Sequence, residues 1–71
     1  MTIHTIQDTI REIIDRTEEA RAEWKQDPEN NMEYGRVLAF CEVLSIIKTD
    51  FTGVEEVEKI LNFDIDKRFL S

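Results

Sequence analysis

Apolar residues recur at spacings of three and four along the first third of the chain, and charged residues fill the positions between them. The apolar positions, with the small polar Thr17, are Ile3, Ile6, Ile10, Ile13, Thr17, Ala20 and Trp24. This spacing makes one apolar stripe along an α-helix, and its seven-residue period is typical of helices that pack lengthwise. Thr5 followed by Asp8 resembles a capping box. The pattern predicts a first helix over about 5–25.

A second helix is predicted over about 30–49. Pro28 disfavours helical geometry in the residue before it, and the new helix begins between positions 28 and 32, capped by Asp27 or by Asn31. At 100° per residue, the apolar side chains cover about 260° of this helix. Other elements must surround such a helix to bury its apolar surface. The rest of this short chain contains few elements that could do so.

A third helix is predicted over about 53–62, because Thr52 and Glu55 have the spacing of a capping box. The tail, 63–71, holds four large apolar residues among charged ones, and a strand, a helical turn and an extended strip all fit this pattern. Together these elements predict one all-α domain over 1–71, an antiparallel helical hairpin with a short third helix.

Because the chain is short, we expect it to bury further apolar surface by associating with a second copy of itself. A 71-residue chain buries only about 60% of its unfolded surface, and its one cysteine excludes an intrachain disulfide. The wide apolar surface of the second helix therefore predicts a homodimeric helical bundle. The residues we expect at the dimer interface are Gly35, Ala39, Val43, Ile46 and Ile47.

Charge narrows the class of partners. Nine basic and sixteen acidic residues give a net charge of −7, which disfavours direct binding to nucleic acid or to anionic membranes. No run without a charged residue is longer than seven residues, far short of the ~20 that a transmembrane helix needs. The first five residues lack the pattern of a secretory leader. With one unpaired thiol, we predict a cytoplasmic protein.

Candidate metal ligands are sparse. His4 and Asp8 are four residues apart, but two ligands do not complete a site. The acidic loop 27–33 has oxygen ligands at alternate positions, yet Met32 and Leu38 stand where a calcium loop of the EF-hand type needs Gly and Glu. We expect no metal, no cofactor and no catalytic residue.

Two further groups have competing interpretations. Cys41 lies among apolar residues and is interpreted as a small buried side chain rather than a nucleophile. Arg36 is expected to form an internal ion pair with Glu33, Asp64 or Asp66. Convergence of Arg36, Asp64 and Asp66 would instead make a polar site.

A resemblance supports this architecture. The stretch 33–45, which contains Tyr34, Gly35 and Arg36, and the Asp-containing tail 63–70 resemble small uncharacterised bacterial helical proteins. The resemblance covers a little over half of the chain. It implies the helical architecture and no activity.

We therefore predict a non-enzymatic protein-protein interaction module that forms a homodimer. The alternative is an acidic antagonist that occupies the basic surface of a nucleic-acid-binding protein, which the charge of −7 favours. Acids gathered on one face would favour the antagonist, and interspersed acids and bases would favour the module. A small enzyme would need a pocket that includes Arg36, Asp64 and Asp66.

Overall fold

Four α-helices account for most of residues 5–71, the part of the chain that the computed structural model describes, and no strand occurs among them. Their bounds are α1 Ile6–Gln26, α2 Asn31–Asp50, α3 Glu55–Ile60 and α4 Ile65–Phe69. The predicted all-α fold is confirmed, with α1 and α2 packed closely as a hairpin.

α1 begins with the predicted capping box. The Thr5 hydroxyl accepts a hydrogen bond from the backbone N–H of Asp8 at 3.2 Å, and the Asp8 carboxylate accepts one from the backbone N–H of Thr5 at 3.1 Å. These two bonds satisfy amide groups that a helix leaves without partners in its first turn.

α2 begins within the predicted window, but neither predicted residue caps it. The cap is Asn30, whose side-chain oxygen accepts from the backbone N–H of Met32 at 3.0 Å and of Glu33 at 3.4 Å. Asn31 is instead the first helical residue, and Asp27 ends α1. An asparagine cap suits this position because its short side chain reaches the amides two and three residues ahead.

The hairpin core lies along the facing stripes of α1 and α2. Its almost fully buried residues are Ile10, Thr17, Ala20, Val37, Cys41 and Leu44. Thr17 is the polar member. Its hydroxyl donates to the carbonyl of Ile13 at 2.7 Å, so the buried Thr17 hydroxyl has an acceptor. The rings of Trp24 and Tyr34, with centroids 4.9 Å apart, close the loop end of the hairpin.

The predicted capping box at Thr52 and Glu55 is wrong. The Thr52 hydroxyl turns back to α2 and donates to the carbonyl of Thr49 at 2.8 Å. Gly53 has φ +91°, and its N–H donates to the Glu58 carboxylate at 2.7 Å. The turn through Gly53 separates Thr52 from α3, which therefore begins two residues later than predicted and has no side-chain cap.

The tail forms the helical turn α4. Asp64 caps it by accepting from the backbone N–H of Lys67 at 3.1 Å. Ile65 and Phe69 are buried to 5% and 0% exposure and join the hairpin core. Because four residues separate them, both side chains point to one side of α4.

α3 and α4 cover the same side of the hairpin. Gln7 of α1 donates to a carbonyl of α3 at 3.0 Å, and Arg68 of α4 donates to the Glu18 carboxylate at 2.8 Å. Gln7 and Glu18 are eleven residues apart, which is only about 20° around a helix. On α2, Lys48 donates to the carbonyl of Phe63, just before α4, at 2.7 Å. The molecule is therefore flat, with extents of 38 × 29 × 14 Å. No described element covers the other side of the hairpin, which we call its open side.

Candidate functional site

α2 has an exposed apolar side opposite its buried side. At 100° per residue, Val37, Cys41 and Leu44 lie about 140–200° from Ala39. A second set of apolar or small residues lies within about 40° of Ala39, at spacings of three and four. We call this set the outer face, and it consists of Met32, Gly35, Ala39, Val43 and Ile46.

The outer face is in contact with solvent. Met32, Val43 and Ile46 are 80%, 42% and 52% exposed, and Gly35 and Ala39 are exposed as well. Four of the five residues predicted for a dimer interface thus lie on the surface. The fifth, Ile47, is half-buried and packs against the hairpin core.

Met32 and Asp50 extend this surface beyond the predicted residues. Met32 precedes Gly35 by three positions, and Asp50 follows Ile46 by four, so helical spacing was the available signal for both. The Asp50 carboxylate forms no hydrogen bond or ion pair with another residue within 5–71.

Gly35 is not explained by packing inside the described part of the chain. A methyl group added at this position meets no atom within 4 Å. Glycine within a helix is up to ~1 kcal/mol less favourable than alanine. The residue therefore lowers the stability of α2 without relieving any contact within residues 5–71.

Arg36 lies beside the outer face and carries an internal ion-pair network. Its Nη1 atom donates to the Glu23 carboxylate at 2.6 Å and to the Glu33 carboxylate at 2.9 Å. The hydrogen bond to Glu23 is the largest cause of a raised pKa at Arg36. Nε and Nη2 have no hydrogen-bond partner among the described residues. The predicted pairing with Glu33 is present.

Asp64 and Asp66 are not bonded to Arg36. They line a shallow cavity of about 410 Å³ between α2 and α4, which Ser45, Lys48, Thr49 and Ile65 complete. The Asp64 carboxylate caps α4, and the Lys48 ammonium donates a hydrogen bond to the carbonyl of Phe63. The structure thus does not bring together the three residues considered as a polar site.

The other candidate groups have structural partners. Cys41 is buried, and burial first, then the charge of Asp66, raises the pKa of its thiol, which keeps it protonated. Within the loop 27–33, Asn30 caps α2, and the Glu33 carboxylate accepts a hydrogen bond from Arg36. Among residues 5–71, no three side chains of metal-ligating type lie close together. His4 lies outside the described residues.

Comparison of the chain with protein-family models, with curated proteins and with solved structures finds no match. Among the described helices, none has the length and apolarity to cross a membrane. The outer face of α2 is the candidate site that the geometry defines.

Proposed function

We propose that this chain is a non-enzymatic interaction module that forms a homodimer through the outer face of α2. The observation that carries this proposal is the apolar surface of Val43 and Ile46 on the side of α2 that no element within residues 5–71 covers. Contiguous apolar surface of this kind commonly marks a protein interface.

The outer face alone is smaller than a stable interface. From Met32 to Ile46 the helix rises about 21 Å, and a helix is about 10 Å wide, so the strip covers about 200 Å² per chain. A stable interface buries about 800 Å² per partner. The contact must therefore extend over the open side of the hairpin, where Phe40 and Ile47 are half-buried.

The distribution of charge supports a module rather than an acidic antagonist. Acidic and basic side chains form ion pairs within α1, α2 and α3 and between helices. Arg68 with Glu18 at 2.8 Å joins α4 to α1, and Lys59 with Glu55 at 3.2 Å lies within α3. An antagonist of a basic surface would need a continuous acidic face.

The proposal is tested by a matched pair of substitutions. Val43→Glu places a charge on the outer face, and Val54→Glu makes the same change at a residue of similar exposure outside it, 42% against 37%. Because an unpaired buried charge is costly, Val43→Glu should raise the dimer dissociation constant at least about tenfold. Val54→Glu should leave it unchanged. Equal effects of the two substitutions in sedimentation equilibrium would contradict the proposed interface.

A further inference from the structure

The outer face is uneven in a way that bears on how two copies meet. Between positions 35 and 46, its amino-terminal half has the small residues Gly35 and Ala39, and its carboxyl-terminal half has the larger Val43 and Ile46; Met32 lies before the small half. Two parallel copies would place large residues against large ones and leave a gap between the small ones. Two antiparallel copies place the large half of each helix over the small half of the other, so the face is complementary to itself.

Arg36 and Asp50, two of the charged residues beside the outer face, favour the same arrangement, whereas Glu42, about 60° away on the other flank, would lie near Glu42 of the other copy. Arg36 and Asp50 lie on one flank, about 60° and about 20° from Ala39. A two-fold axis perpendicular to the helices keeps this flank of both copies on one side, whereas a parallel dimer puts the flanks on opposite sides. Arg36 has two donor nitrogens unused, and Asp50 has no partner among the described residues.

The register follows from the shape and the charges. With the axis at the level of position 41, position 39 faces position 43, and position 32 faces position 50. Arg36 of one copy then lies about 6 Å along the helix from Asp50 of the other, which its long side chain spans. One register thus combines complementary sizes at positions 39 and 43 with opposite charges at Arg36 and Asp50.

We infer that two copies of α2 cross antiparallel about a two-fold axis between Ala39 and Val43, with Arg36 of each copy paired to Asp50 of the other. The inference rests on the homodimer proposed above. It adds the direction of the helices, the register and a pair of residues that determines which surfaces meet.

Disulfide trapping tests the direction and the register. In a Cys41→Ala background, three variants carry Met32→Cys, Asp50→Cys, or both substitutions. Within one chain the two positions are about 27 Å apart, so any bond between them must join two copies. Under mild oxidation we expect the double variant to form a covalent dimer and both single variants to remain uncrosslinked.

Other trapping results identify what has failed. Crosslinking of each single variant would overturn the antiparallel direction. No crosslinking in any variant, with a wild-type mass that still doubles in sedimentation, would overturn the register while leaving the homodimer. A wild-type mass that does not double would instead contradict the proposed function.

A charge reversal tests the Arg36 pair. Asp50→Arg should raise the dimer dissociation constant about three- to tenfold, and Arg36→Asp added to it should restore much of the affinity. Asp15→Arg is the matched control, because it changes the net charge equally on the exposed side of α1. If Asp50→Arg behaves as Asp15→Arg does, the pair does not form.

Discussion

The two glycines should respond to alanine in opposite directions. Gly35 lies within α2, and a methyl group there meets nothing within 4 Å. Alanine should therefore stabilise the folded chain by about 0.8–1 kcal/mol through helix propensity. Gly53 has φ +91°, where an L side chain is strained, and alanine should destabilise by about 1–2 kcal/mol.

These energies convert into measurable shifts in melting temperature. For a domain of this size, 1 kcal/mol corresponds to about 4–8 °C. Gly35→Ala should raise Tm by about 3–8 °C, and Gly53→Ala should lower it by about 4–16 °C. The assay is thermal unfolding followed by far-ultraviolet circular dichroism, at protein concentrations low enough for the monomer to dominate.

An alanine-to-glycine substitution elsewhere in the protein measures the contribution of helix propensity to stability. Ala22→Gly, at an exposed position of α1, should lower stability by about as much as Gly35→Ala raises it. At higher concentration, Gly35→Ala should weaken association, because its methyl group enters the contact between copies. Lower monomer stability for Gly35→Ala would refute the reasoning, since it would mean that the helix needs glycine for an internal reason.

Three further outcomes are expected. In urea titrations, Phe69→Ala should reduce the free energy of unfolding by about 3–5 kcal/mol, because Phe69 is fully buried. Phe51 is exposed, so Phe51→Ala should reduce it by much less. Equal losses would show that α4 is not part of the core. Because the folded state raises the pKa of Cys41, the thiol's contribution to stability is present below about pH 8.5 and is lost as the pH rises through the raised pKa. The wild type should therefore lose more stability at high pH than Cys41→Ala, and parallel curves would contradict this. EDTA should leave Tm unchanged, and a shift of several degrees would reveal a metal.

Helix positions followed closely from the sequence where the signal was local. The stripe from Ile6 to Trp24 and the Thr5–Asp8 box define α1, because period and cap depend on neighbouring residues alone. The end of α2 at Asp50 also came within a residue of the prediction. Such local patterns identify elements before any tertiary contact is known.

The errors occurred where tertiary geometry decides among local options. Thr52 could cap α3 or bond back to α2, and the turn at Gly53 selects the second option. The tail was left undetermined because α4 depends on burying Ile65 and Phe69 against the hairpin. Glu23 was not among the acidic partners predicted for Arg36, because only the packing of α1 on α2 brings it close.

The most direct test of the central proposal is the mass of the wild-type chain in solution. Sedimentation equilibrium across micromolar to submillimolar concentrations would compare the monomer, 8.4 kDa, with a dimer of about twice that mass. The exposed outer face predicts that the average mass rises towards about 17 kDa with concentration. A mass that stays at 8.4 kDa over the whole range would contradict the homodimer and the interaction module built on it.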